Sequence, residues 1–235
     1  MDVIKAIVSR RSIRSYKSKT IDKEDLMILV EMGIKAPTAG NLQDLRFIVC
    51  TEQGIINKLP ELCMDQYWIA TAPAVIVVCS QPQVQAKWFG ERGRHVFSTQ
   101  NAAAATQNIL LAAKDMNLDT CWVGGFNQEG VDKLFGAEGK ARVEAIITVG
   151  YAAEKPDPKS EQPLTASMFF QKYGQTLEDP VAANNDYSIK LQQHLSKIEE
   201  DTKKAKSNAS KWFENAQKQI KTHVDKYNQK LKEKK

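Results

Sequence analysis

The chain has 235 residues, 42% of them hydrophobic and 26% charged, the balance of a folded, water-soluble protein. Its longest near-continuous apolar run, from Ala72 to Cys79, falls far short of the ~20 residues of a membrane-spanning helix, and the start MDVIKAIVSRR has no apolar core of a secretory signal, so a cytoplasmic protein is expected. The net charge of +5 belongs to residues 181–235, which carry 13 Lys and 7 acidic residues; residues 1–180 hold 20 basic and 21 acidic ones and show no electrostatic sign of binding nucleic acid.

In chain order, Val3, Ile4, Ile7 and Val8 have helical spacing, and the stretch from Arg11 to Tyr16 reads as extended. Asp22 caps a helix with the apolar face Leu26, Leu29, Val30 and Ile34, which Pro37 stops. A strand follows over 46–51, and AVIVVCS at 74–80 reads as a strand buried on both faces. Residues 98–116 form a long Ala-rich helix, and 121–123 and 144–149 complete the strands. The pattern predicts helices on both sides of a mixed central sheet. All twelve glycines and all eight prolines lie at or before Pro180, so a domain over 1–180 is followed by a helical, Lys-rich extension over 181–235.

Cys50, Cys63, Cys79 and Cys121 are far apart with no CxxC pair, so reduced, buried thiols are expected. Only three histidines are present (His95, His194 and His223), and no GxGxxG, P-loop, HExxH or GxSxG motif occurs, so no metal site is expected and any redox or transfer chemistry falls to a cofactor. Arg10, Arg11, Ser12 and Arg14 lie within five residues of each other, either a set of charge-assisted phosphate donors or a solvated basic turn. Pro37, Thr38, Ala39, Asn41 and Gln43 lie in a loop whose amides suit the edge of a heterocycle, or which simply ends a helix. Thr120–Phe126 is a strand running into Gly124 and Gly125, either a tight turn or a place where backbone meets a flat ligand.

Together with Gly90–Arg94, Gln100–Asn108 and the Pro163-Leu164 pair ahead of Tyr173-Gly174, these segments resemble, in order and spacing, the nitroreductase family of FMN-dependent oxidoreductases over roughly residues 2–175. The resemblance implies an α+β fold working as an intertwined homodimer, with FMN in clefts at the subunit interface. It implies hydride transfer from NADH or NADPH through flavin N5 to flat small-molecule electron acceptors such as nitroaromatics and quinones, by a ping-pong mechanism with no catalytic side chain. By position it makes Arg10 and Ser12 phosphate ligands with Arg11 alongside, Arg14 the cation near the ring's N1/O2 side, and Pro37, Thr38, Ala39, Asn41 and Gln43 the partner's covering loop. It also places Gln66 at the pyrimidine edge and Gly124 and Gly125 near N5. Two positions depart from the pattern: Gln162 stands where a basic residue is common, leaving the phosphate either to Lys159 or to Arg10 and Arg11 alone, and Asn101 stands where Asp is frequent.

Tyr67, Trp68, Trp88, Phe89 and Phe97 are candidates for an aromatic cleft wall or for core positions. Beyond Leu191, weakly apolar positions recur in steps of three and four, a poor coiled-coil seam, leaving self-packing or attraction to an acidic surface as roles for the extension. Two alternatives stand beside the general reductase: specialised chemistry on the same fold (reductive dehalogenation or flavin breakdown), and a weak flavin binder working as an interaction module through its tail. No inserted lid segment is visible between Glu61 and Arg94 to favour the first.

Overall fold

The computed structural model describes residues 2–157 and 160–175, with isolated positions at 193, 196, 197 and 200. Two compact units divide the chain, Met1–Lys159 and Ser160–Lys235. In the second, α8 (Leu164–Ser167) precedes a turn in which the Phe169 and Tyr173 rings lie 4.8 Å apart. Gln193, Ser196, Lys197 and Glu200 are helical and exposed; Lys159 and the seam positions expected from Leu191 onward lie outside the described residues.

The first unit is built on four strands, β1 (Leu45–Cys50), β2 (Ala74–Ser80), β3 (Asp119–Val123) and β4 (Arg142–Gly150), in the order β1-β2-β4-β3. Every neighbouring pair is antiparallel, which corrects the expected mixed sheet. The expectation rested on the alternation of helices and strands along the chain, as in the passage from β2 through the Ala-rich helix to β3. Those two strands do run parallel, but β4 is inserted between them, so the parallel relation is never a hydrogen-bonded one. Among the described residues, the single parallel pairing is an isolated bridge between Ser12 and Thr120.

Every residue of β2 is buried, and its alternation sorts the core into two layers. Ile76 and Val78 join Leu26 and Leu29 of α2 (Lys23–Ile34) and Ile109 of α6 (Ser98–Asp115) on one face. Val75, Val77 and Cys79 face α3 (Gln53–Ile56), α4 (Leu59–Leu62) and α7 (Gln128–Leu134) on the other. Gly33 lets α2 come close to α6: a methyl group added there would stand 2.9 Å from Ile109 Cδ1. The α2 stripe is narrower than expected, for Ile34 is 59% exposed; with Met27, 69% exposed, it leaves an apolar belt beside β1.

α1 (Val3–Ser9) is capped by Asp2, whose carboxylate accepts from Ile4 N–H at 2.9 Å. The extended segment after it is sewn to the sheet edge by bonds from Ile13 N–H to Thr120 C=O (3.0 Å), Lys17 N–H to Tyr151 C=O (2.9 Å) and Ala153 N–H to Ser15 C=O (2.9 Å). α5 (Pro82–Arg92) had no periodic signal in the sequence; it turns at Gly90 (φ +59°) into a π-helical stretch, Gly93–Phe97, that runs straight into α6. All four cysteines are free and buried.

Candidate active site

The residues singled out from the sequence fall into two groups, one at each edge of the sheet. At the β3 edge, the bridge between Ser12 and Thr120 brings the Arg10–Arg14 segment against the strand that ends in Gly124 and Gly125. Burial raises the Cys121 thiol above its ordinary value, while the charge of Arg14, a hydrogen bond with Ser12 and the charge of Arg10 work the other way. The Cys121 thiol thus lies near enough to feel the charge of both guanidiniums and the Ser12 hydroxyl. Arg14 also lies 5.8 Å from the centre of the Trp68 ring, and its backbone N–H donates to Glu154 Oε1.

Gln66 reaches the same edge from the opposite layer. Its Nε2 donates to Cys63 C=O at 2.7 Å and to Gly125 C=O at 3.4 Å, so the side chain offers only its carbonyl oxygen outward. The turn that presents it is tight: Met64 and Asp65 both have positive φ, and Met64 Sδ would lie 3.2 Å from a methyl group added at Gly125. Neither strained residue announced itself in the sequence. Arg11 is drawn away from the group, since its Nη1 donates to Val8 C=O (2.8 Å) and Arg10 C=O (3.0 Å) at the end of α1.

At the β1 edge, Pro37, Thr38, Ala39, Asn41 and Gln43 form a loop around a single turn at Ala39–Asn41. Gly40, Asn41 and Gln43 all have positive φ, and Gln43 N–H donates to Thr38 Oγ at 3.1 Å. A groove of about 380 Å³ opens there between Val30, Ile34, Thr38, Gln43, Arg46 and Phe47. Phe89 leans on Gly40, and Trp88 is 73% exposed beside it. Among the described residues no hydrogen bond joins this loop to the β3-edge group; two strands stand between them.

The donor set at the β3 edge fits a phosphorylated flat cofactor. Among the described residues, the guanidiniums of Arg10 and Arg14 form no ion pair, so their charge is left for an anion, and Gly124 is exposed just past the strand that Ser12 bridges. Among the described residues no cluster of His, Cys, Asp and Glu has the makings of a metal site.

An antiparallel α+β sheet with an inserted fourth strand and a cationic edge defines a class of fold with many solved relatives. The NADPH:FMN oxidoreductase of Vibrio harveyi, solved with NAD+, superposes with a TM-score of 0.66 at 22% identity, covering 83% of this chain and 86% of that one. In sequence, a protein of Archaeoglobus fulgidus assigned the name NADH dehydrogenase/NAD(P)H nitroreductase is 30% identical over 160 residues, 66% of this chain and 88% of its own length. The FMN reductase (NADPH) of Bacillus subtilis is 26% identical over 144 residues, 57% of each chain. The profile of the Nitroreductase family matches residues 7–69 and 61–151, and the chain belongs to that family.

Proposed function

We propose that this protein is an FMN-dependent NAD(P)H oxidoreductase that works as a homodimer and reduces flat acceptors such as nitroaromatics and quinones in a ping-pong cycle. The observation that carries the reading is the convergence of Arg10, Ser12 and Arg14, free of ion pairs among the described residues, on the strand that ends at Gly124 and Gly125. The names of the relatives point the same way. When bound, FMN supplies the redox chemistry, accepting a hydride from NADH or NADPH and passing electrons to the acceptor that next takes the same place. Arg10 and Ser12 hold the phosphate by charge-assisted donors, and Arg14 sets a positive charge beside the ring, favouring its reduced, anionic form. The backbone at Gly124 and Gly125, bare of side chains, admits the ring closely, and Gln66 Oε1 offers an acceptor to it.

The loop from Pro37 to Gln43, from a second copy, covers the ring and excludes water. Its position at the far edge of its own sheet supports this, as do the apolar belt of Met27, Ile28 and Ile34 and the groove beside it, which a protomer alone leaves in solvent. Purification with one FMN per chain, anaerobic bleaching by NADH or NADPH and re-oxidation by a quinone test the reading. Failure of the purified chain to take up FMN on reconstitution would overturn it.

A further inference from the structure

Three buried polar side chains from three elements meet behind the covering loop. Asp44, just before β1, Gln85 of α5 and Asn101 in the first turn of α6 are 0%, 0% and 5% exposed. Ala39 N–H donates to Asn101 Oδ1 at 3.0 Å, and Asn101 Nδ2 donates to Asp44 Oδ1 at 2.7 Å. Gln85 Nε2 donates to the same Asp44 oxygen at 3.0 Å and to Ala39 C=O at 3.3 Å. The ring of bonds is closed, and it grips Ala39 by both its N–H and its C=O. The polarity admits no reversal: a peptide N–H can only donate, so the Asn101 atom facing it is oxygen, and the amide nitrogen then faces the carboxylate.

The arrangement is costly. Asp44 Oδ2 and Gln85 Oε1 are buried with no hydrogen-bond partner among the described residues. A carboxylate would not be needed merely to fill this space. What it fixes is a loop whose Gly40, Asn41 and Gln43 are all held in the left-handed region that side chains avoid. The clamp also gives a reason for Asn at 101, since Asp there would set a second carboxylate against Asp44.

We infer that Asp44, Gln85 and Asn101 are positioning residues for the flavin, holding the Pro37–Gln43 loop by Ala39 in the one shape that covers the ring; this rests on the FMN reading above. A reciprocal exchange tests it. N101D puts two carboxylates together and loosens the loop, while D44N/N101D restores one acceptor and one donor in swapped order. In the double variant the carboxylate now at position 101 accepts from Ala39 N–H and from the amide nitrogen now at position 44; that nitrogen replaces the one oxygen that also met Gln85, so Gln85 turns its Oε1 toward it and gives up its bond to Ala39 C=O.

Two readouts are taken on the full chain, well below its melting temperature: amide hydrogen exchange of residues 38–43 without FMN, and the FMN dissociation constant by fluorescence quenching. N101D is expected to speed exchange at 38–43 and raise the dissociation constant about tenfold or more, and the double variant to slow exchange again and lower the dissociation constant at least about threefold from that of N101D, the bond from Gln85 to Ala39 C=O staying lost. A double variant no better than N101D in either readout overturns the inference, as does N101D behaving like the parent. If the parent itself binds no FMN while exchange at 38–43 still follows the swap, the clamp stands and the flavin reading fails.

Discussion

Removing one oxygen, by Tyr16→Phe, tests how the Arg10–Arg14 segment is fixed to the sheet. Tyr16 is 6% exposed; its hydroxyl lies 2.7 Å from Ile13 C=O and 2.7 Å from Thr148 Oγ. Burial pushes its phenol far above the ordinary range, so the proton stays on at any working pH. With one proton to give, Tyr16 donates to Ile13 C=O and accepts from Thr148. In the variant Thr148 turns to Cys121 C=O, already 3.3 Å away, and remains satisfied. Ile13 C=O does not, and an orphaned acceptor of this kind costs about 2 kcal/mol. For a body of this size that lowers the melting temperature by about 4–8 °C. Three backbone bonds still tie the segment down, from Ile13, Lys17 and Ala153, so FMN affinity should change less than about threefold. Urea unfolding and FMN titration of the same preparation measure both. A loss below about 0.5 kcal/mol, which is the scatter of ordinary surface changes, would refute the assignment of that carbonyl to the tyrosine.

Arg10→Ala should weaken FMN binding by about 1.5–3 kcal/mol in titrations while leaving the unfolding midpoint of the apoprotein in place. Arg14→Ala should lower the bound flavin's reduction potential, read by equilibration with reference dyes, because a positive charge beside the ring favours the reduced anion. Gly150→Ala should destabilise by about 1–3 kcal/mol in urea, since its methyl would stand 2.6 Å from Tyr16 Cδ1 and 2.9 Å from Pro73 Cδ, two rings with nowhere to move. Burial pushes the Cys63 thiol up to about 11 and that of Cys79 to about 12, from an ordinary value near 9. The raised values mean that their contribution is whole below pH 9 and is lost as pH climbs from there through 11 to 12, so the melting temperature should fall over that window, and less steeply in Cys63→Ala.

What the sequence reveals depends on how local the cause is. The strand AVIVVCS coincides with β2 because an unbroken β-branched run buried on both faces has one comfortable conformation. The Ala-rich helix over 98–116 was equally legible, ending at Asp115. α5 and α7 were not: α5 has a sparse apolar pattern and a glycine at φ +59°, and α7 is two turns long. The antiparallel order was invisible because the insertion of β4 between β2 and β3 is settled by pairing across tens of residues. The site divides the same way. Residue type alone marked Arg10, Arg11, Ser12 and Arg14 alike; the structure brings Ser12 to the sheet edge beside Thr120, whereas Arg11 turns back onto its own helix. Asn101 was noticed as a departure and acquired a meaning only once Asp44 and Gln85 stood beside it.

The division of the site between two sheet edges leads to a mixing experiment. In the order β1-β2-β4-β3 the covering loop adjoins one edge and the arginine segment the other, with three strand spacings between, about 14 Å. If each flavin site takes its arginines from one copy and its loop from the other, lesions at the two edges should complement. Arg10→Ala damages the first part. Gly40→Val damages the second, because a β-branched residue would have to hold φ near +61° with its Cβ 3.2 Å from the Phe89 ring. Each homodimer then has two defective sites. In a heterodimer one site receives both lesions and the other receives neither. Equal co-expression makes about half of the dimers heterodimeric, so about a quarter of all sites should be intact, with FMN content and NAD(P)H oxidation recovering to that fraction. A site assembled within a single chain would keep one lesion in every copy, and mixing would restore nothing. Recovery absent from a mixture shown by tagged co-purification to contain heterodimers would therefore refute the shared site and return the covering loop to its own protomer.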